Sequence, residues 1–182
     1  MKVLGLSGSL RSGSHNSRLL RAAADLLPPS AELIEFDGLK AIPPFDEDDE
    51  AYGHEAVDAL RAAIEDADAL LVATPEYNHS LPGQLKNALD WISRPIAESP
   101  LRNKPAAVIG ASTGLFGAVW AQAEGRKVLA ALGARVIDHE LPVAQAHDAF
   151  DGDRLADPEL ELALGGLLAE LVGDEAAQLV AA

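Results

Sequence analysis

The chain has no cysteine, which excludes disulfides, thiolate metal sites and thiol redox chemistry within it and is compatible with a reducing cytoplasm. Basic residues are scarce: 14 Lys and Arg stand against 29 Asp and Glu, for a net charge of −15. Nucleic-acid binding needs a basic face to neutralise phosphates, so no nucleic-acid partner is expected. Anionic membranes are disfavoured for the same reason. An anionic small ligand gains nothing from this global field and must be held by local donors. Long apolar runs are also missing. The opening Met1-Lys-Val-Leu-Gly-Leu-Ser7 is too short for a signal peptide. From Pro105 to Ala123 there is no charge, but Gly110, Ser112, Thr113, Gly114, Gly117 and Gln122 make that stretch polar in its middle. It reads as a buried strand, a loop and a helix start, so no membrane span is expected.

What is present is enough for a substantial core: 182 residues, 48% of them hydrophobic. Apolar runs and helix-period segments alternate throughout. Val3 to Leu6 is a strand candidate, and Leu19, Leu20, Ala23, Leu26 and Leu27 then repeat at helical spacing until Pro28-Pro29. Glu32 to Phe36 reads as an amphipathic strand, and Glu55 to Asp66 as a helix using Val57, Leu60 and Ile64. The unbroken apolar run Ala69 to Ala73 suits a central parallel strand covered on both faces. Pro82-Gly83 opens a helix with Leu85, Ala88, Leu89 and Ile92 inward, and Ala106 to Ile109 is the fourth strand. A further helix ends near Leu132 with Gly133 as a left-handed cap, and Arg135 to Leu141 is the fifth strand. Asp157-Pro158-Glu159 starts a last helix with Leu160, Leu164, Leu167, Leu168 and Leu171 inward. No repeats or linkers interrupt this series. Five such units predict an α/β fold with one doubly wound parallel sheet, in a single domain over residues 1–182.

Ligands of such sheets bind beyond the carboxyl ends of the strands. The loops there, residues 7–16, 74–83 and 110–117, are all rich in Gly, Ser, Thr, Asn or Pro. In the first, Gly8-Ser-Leu-Arg-Ser-Gly-Ser-His-Asn-Ser17 joins a strand to a helix. Backbone N–H groups and hydroxyls at the positive end of a helix favour a phosphate, and Arg11 adds a planar cation suited to its oxygens. Gly8 and Gly13 have nucleotide-loop spacing, but Ser14-His15 stands where Lys-Ser/Thr is required, and no G-x-G-x-x-G occurs. Ser14 or Asn16 also suits a plain N-cap. In the second loop Pro75 turns the chain out of the sheet, and Tyr77 and Asn78 offer a ring and an amide. Asp46 to Glu50 has Ala51 and Val57 where a calcium loop needs Gly and Glu, and reads as a solvated acidic connection. The five histidines lack zinc-like spacing, so no metal is expected.

The strings GSLRSGSHNSRLL (8–20), PEYNHSLPGQLKNALDW (75–91) and GASTGLFGA (110–118) resemble the NADPH-dependent FMN reductase family, flavodoxin-like enzymes that include quinone and chromate reductases. The resemblance implies a flavodoxin-like five-stranded sheet in the order 2-1-3-4-5 with helices on both faces. By position it implies that Ser9, Arg11, Ser14, Asn16 and Ser17 hold the FMN phosphate. Pro75, Glu76, Tyr77 and Asn78 would line the isoalloxazine, partly through backbone groups, with Ser112, Gly114 and Gly117 on the other side. It further implies NADPH or NADH as co-substrate and alternating transfer: nicotinamide stacks on the flavin, delivers hydride to N5 and leaves. A quinone, free flavin or similar small acceptor then takes its place. A cytoplasmic homodimer or homotetramer with the flavin near the interface also follows from it.

The residue reading agrees, because no Ser-His-Asp or paired-carboxylate set accompanies the loops and a flavin carries its own hydride chemistry. The alternative is a flavodoxin-like electron carrier or flavin-binding module without its own turnover, for which the acidic charge suits docking to basic partners. A phosphate- or nucleotide-binding regulator on the same fold is a further alternative. Arg94, Arg102 and Arg126 are candidates for an NADPH 2′-phosphate by charge alone. Trp91 and Trp120 read as core or subunit contacts, and Asp148, Asp151 and Asp153 as turn residues before the last helix.

Overall fold

Strand β1 (Lys2–Ser7) lies between β2 (Glu32–Phe36) and β3 (Ala69–Thr74), and β3 pairs in turn with β4 (Pro105–Ala111), all parallel. The computed structural model describes residues 1–173. Beyond β4 the fifth position is shared by two short strands, β5 (Arg135–Val136) and β6 (Pro142–Val143). The sheet order β2-β1-β3-β4-β5 is that of the doubly wound flavodoxin-like folds. A single fifth strand over residues 135–141 is not what forms. Between the two pairings Asp138 and Glu140 turn outward to Arg126, at 3.6 and 3.2 Å, and Leu141 then returns to β4. Proline 142 then sits at the sheet edge, where its missing donor costs no ladder bond.

Side chains alternate across the sheet and create two cores. Leu4, Leu6, Leu70, Val72, Ala106 and Val108 face one side. There they meet α2 (Glu55–Asp66), α3 (Gly83–Ile92) and α4 (Val119–Ala131) through Val57, Leu60, Ile64, Leu85, Leu89 and Leu129. Val3, Leu71, Ala107 and Ile109 face the other side, toward α1 (His15–Leu26) and α5 (Pro158–Val172). Strand β3 is buried along its whole length, as its unbroken apolar run requires. Gly133, at φ +89, ends the turn after α4 as the sequence suggests, and Asp157 caps α5 through Glu159 N at 2.9 Å. Among the described residues no helix is long and apolar enough to cross a membrane.

Between β6 and α5 a small hairpin, β7 (Phe150–Asp151) and β8 (Arg154–Leu155), covers the start of α1. Asp153 at its turn pairs with Arg21 at 3.1 Å, and Arg18 lies over the Phe150 ring at 4.9 Å. A polar staple ties the helix start to the far side of β3. The fully engaged amide of Asn16 accepts from Ala111 N at 2.9 Å and donates to Ala111 O at 3.0 Å. Asn16 is 2% exposed, so no water replaces these bonds if they are lost. Asn16→Ala is therefore expected to lower unfolding free energy by about 2–4 kcal/mol, two buried backbone groups being left unpaired. Urea denaturation checks this through a lower midpoint at unchanged slope.

Candidate functional site

Gly8, Pro75 and Ala111 mark where β1, β3 and β4 hand over to their loops, all at the carboxyl edge of the sheet. Gly8 donates to Ala73 O at 2.8 Å, and a Cβ there would stand 3.0 Å from the Leu85 side chain and 3.3 Å from Pro75 Cδ. The first loop therefore passes tightly against the second before turning into α1. Ser14 is the N-cap of α1, its Oγ accepting from Asn16 N and Ser17 N, both at 3.1 Å. Its hydroxyl proton is not used in those two bonds. Ser9 is 8% exposed, and Ser17 is half-buried beside it on the helix start. Among the described residues, no protein acceptor takes the N–H groups of Ser9, Leu10, Arg11, Ser12 and Gly13. Arg11 makes no ion pair among those residues, and a Cβ on Gly13 would lie 3.2 Å from its guanidinium. Behind the loop, His15 stacks on Phe150 and has a buried, unpartnered Nδ1. Burial, then the nearby Arg11 and Arg18 charges, holds its pKa below the usual imidazole range.

The second loop makes a two-residue reversal. Tyr77 and Ser80 exchange N–H···O bonds of 3.1 Å, with Asn78 at φ 54 and His79 at φ 62 between them. Both angles match the type I′ geometry of tight hairpins. Histidine there is strained, since only Gly, Asn and Asp visit that region routinely. Tyr77 is 51% exposed, and the N–H groups of Glu76, Asn78 and His79 find no protein acceptor among the described residues. The Glu76 carboxylate itself turns inward, toward α4.

The third loop runs from Ser112 to Ala118. Its Ser112 N donates to Val143 O at 3.0 Å, and Ser112 O and Gly114 O accept from Ala146 and Gln145, so β6 and its continuation shape it. Gly117 at φ +55 passes so close to Pro142 that a Cβ would lie 2.4 Å from its carbonyl carbon. Only glycine fits there. Gln122, fully buried on α4, donates to Gly117 O at 2.9 Å and Leu141 O at 3.2 Å and accepts from Leu141 N at 2.9 Å. Thr113, Gly114 and Leu115 keep N–H groups without an acceptor among the described residues. Leu115, Phe116 and Trp120 are exposed at 74, 60 and 42%, with the Phe116 and Trp120 rings edge-to-face at 5.0 Å.

All twelve residues singled out from the sequence thus lie on three adjoining loops and the first turn of α1, but not all present their side chains outward. Asn16 is engaged with Ala111, and Glu76 with the first turn of α4, so both shape the edge with their side chains. Arg94 pairs with Glu47 and Glu50, and Arg126 with Asp138 and Glu140, which leaves neither free for a ligand phosphate. Trp91 is buried and donates to Pro43 O at 2.9 Å, while Trp120 borders the site. Sequence reasoning missed Gln122 and Glu124, whose partners lie in other loops. A polar residue on the inward side of α4 was the one available signal. A groove between α2 and the segment after α3, around His54, Arg61 and Trp91, contains none of the twelve residues singled out for the site.

The chemistry available at this edge is recognition of an anion and of a planar polar ring. Open backbone donors, hydroxyls and one unpaired guanidinium surround the start of α1. More open donors and exposed rings border the second and third loops. That donor set fits a phosphorylated flavin.

Glu124 makes the edge sensitive to acid. Its carboxylate accepts from Ser80 Oγ at 2.5 Å and Leu81 N at 3.2 Å. The Ser80 bond first, then the Leu81 bond and the Lys127 and Lys86 charges, hold its pKa below the usual carboxylate range, against a smaller opposing effect of burial. A depressed folded-state pKa contributes stability above the unfolded-state pKa, and that contribution is lost as pH falls through the folded value. Glu124→Gln is accordingly expected to flatten the acid side of the stability curve below about pH 4.5. Melting temperatures measured across that range check it.

Comparison with known proteins supplies the family. A family model for NADPH-dependent FMN reductase matches residues 1–148. An NAD(P)H-dependent FMN reductase of Pseudomonas aeruginosa is 49% identical over 160 residues, 86% of this chain and 85% of that one. A quinone reductase of Escherichia coli is 39% identical over 140 residues, 76% of this chain and 74% of that one. Among solved structures, the flavoenzyme NAD(P)H:(acceptor) oxidoreductase of Paracoccus denitrificans aligns with a TM-score of 0.84 at 35% identity, over 94% of this chain and 95% of that one. With most of its length matched and all three edge loops inside the match, the chain belongs to the NADPH-dependent FMN reductase family.

Proposed function

We propose that this protein is an FMN-dependent NAD(P)H oxidoreductase that delivers electrons to a quinone, a free flavin or a similar small acceptor in alternating steps. The observation that carries the reading is the set of open backbone donors on three loops, meeting at the start of α1. When bound, FMN supplies the hydride chemistry, accepting from NAD(P)H and passing electrons on. Everything else falls to the chain. Ser9, Arg11, Ser14 and Ser17 hold the phosphate, while Asn16 keeps the helix start in place against Ala111. Pro75 turns the chain, so the N–H groups of Glu76, Asn78 and His79 lie along the ring edge and stabilise charge there on reduction. Ser112, Gly114 and Gly117 border the opposite side.

One shared ring face explains the alternation, since nicotinamide and acceptor need the same surface. The exposed Leu115, Phe116 and Trp120 beside that surface support assembly as a homodimer or homotetramer with the site near the interface. Dependence on NAD(P)H supports a cytoplasmic location. We take the whole chain as one FMN-binding domain, with no nucleic-acid or membrane partner.

Purified protein is expected to carry or take up yellow flavin and to oxidise NADPH with a quinone or free FMN as acceptor, giving parallel-line steady-state kinetics. An electron carrier would hold the flavin and show no such turnover, and protein without affinity for FMN would refute both. Arg11→Ala is expected to weaken FMN binding by about 1–3 kcal/mol, as for a lost charge-assisted bond. Fluorescence titration of the apoprotein measures it, and an unchanged dissociation constant removes Arg11 from the site.

A further inference from the structure

Two glutamates running in opposite directions fasten the second loop to α4. Glu76 places Oε2 3.1 Å from Trp120 N and 3.3 Å from Ala121 N. These are first-turn donors, which a helix start leaves without intrahelical acceptors. Ala118, in the capping position at φ 62, has no side chain to offer them, and Val119 N turns back to Phe116 O at 3.2 Å. A carboxylate 44 positions away in sequence thus acts as the cap, with its charge at the positive end of the helix. One turn further along α4, Glu124 reaches back to Ser80 Oγ and Leu81 N. Between these anchors lies the strained Asn78–His79 turn. The His79 ring stands edge-on to Trp120 at 4.8 Å, and its Nδ1 is 3.6 Å from Glu76 Oε1.

Left-handed residues need over-determined surroundings to persist. Asn78 and His79 adopt positive φ on the loop that this pair of glutamates fastens, and Gly117 and Ala118 do so just ahead of the α4 turn that receives it. Because Glu76 fills the α4 start, that helix end is closed to a ligand anion, which leaves the α1 start for a phosphate.

We propose that Glu76 and Glu124 are positioning residues for the flavin ring. They hold the Asn78–His79 turn in register with the first turns of α4 before flavin binds, so that the ring-edge N–H groups of the second loop are already aimed. The proposal rests on the FMN reading above and adds to it a division between ring and phosphate ends. Neither carboxylate needs to touch the flavin; each acts through the loop it holds.

The test compares FMN with riboflavin, which has the same ring and no phosphate, on apoprotein prepared from wild type, Glu76→Ala, Glu76→Gln, Glu124→Ala and Arg11→Ala. Glu76→Ala and Glu124→Ala are expected to weaken both ligands by the same factor, roughly tenfold, as for loss of hydrogen bonds to a charged group. Amide exchange at residues 76–81 and 119–121 of the apoprotein is expected to quicken in both. Glu76→Gln, whose amide oxygen still accepts, is expected to recover most of the affinity. Arg11→Ala is expected to weaken FMN alone. A folded Glu76→Ala protein with a lower melting temperature but unchanged affinity for both ligands would overturn the proposal and leave the carboxylate a helix cap only. Loss confined to FMN would also overturn it, by placing the effect at the phosphate end. Wild-type apoprotein that binds neither ligand would defeat the flavin reading itself, a result separable from the other two. Should Glu76→Ala not fold, Glu124→Ala and Glu76→Gln carry the same comparison.

Discussion

Backbone N–H groups without a protein acceptor are costly wherever water cannot reach them, and this protein collects them at one edge. Strands β1, β3 and β4 end side by side, and each continues into a loop that leaves several donors open. Parallel strands make this possible, because each must hand over to a crossover at the same end of the sheet. The loops cannot relax into ordinary turns that would pair these groups internally. Asn16 pins the first to Ala111, Glu76 and Glu124 pin the second to α4, and Gln122 pins the third to Leu141. Polar side chains build the frame, and the main chain faces the ligand.

Most of the frame was legible in the sequence because its signals are local. The second strand and the helix over residues 55–66 end where the apolar periodicity ends, and Asp157-Pro158-Glu159 starts α5 as capping chemistry requires. The fifth strand was not, because residues 138–140 leave β4 between two short pairings and their Asp138 and Glu140 meet Arg126 of α4, a partner distant in sequence. The hairpin over α1 escaped for a similar reason: Asp153 reads as a turn residue alone, but its ion pairs with Arg18 and Arg21 tie the turn to the helix.

The site divides along the same line. Gly, Ser and Arg composition near α1 was readable as anion chemistry because the donors belong to one short segment. Asn16 and Glu76 were recognisable as members of their loops, but their side-chain work was hidden, since Ala111 and Trp120 lie far along the chain. Gln122 carried one local mark, a polar residue on the inward side of α4, and Glu124 carried none. Resemblance to a family finds residues that recur beside a ligand; it does not separate those that touch it from those that hold the touching groups still.

Charge gives the last link. A chain of net charge −15 repels an anionic cofactor at long range, so affinity has to be made within a few ångströms. The arginines reflect this. Arg18, Arg21, Arg94, Arg126 and Arg154 are each matched with an acidic partner, whereas Arg11, on the loop of open donors, has no ion pair among the described residues, as Arg61, Arg102 and Arg135 elsewhere have none. Glu76 is the acidic residue of the second loop, and its carboxylate is turned onto two N–H groups of α4 rather than toward the open edge. Satisfying that helix with a carboxylate removes a competing anion site and a repelling charge in one contact. That leaves open backbone donors and the Arg11 guanidinium at the start of α1, and neutral backbone dipoles along the second and third loops, a setting that suits a bound group whose charge changes.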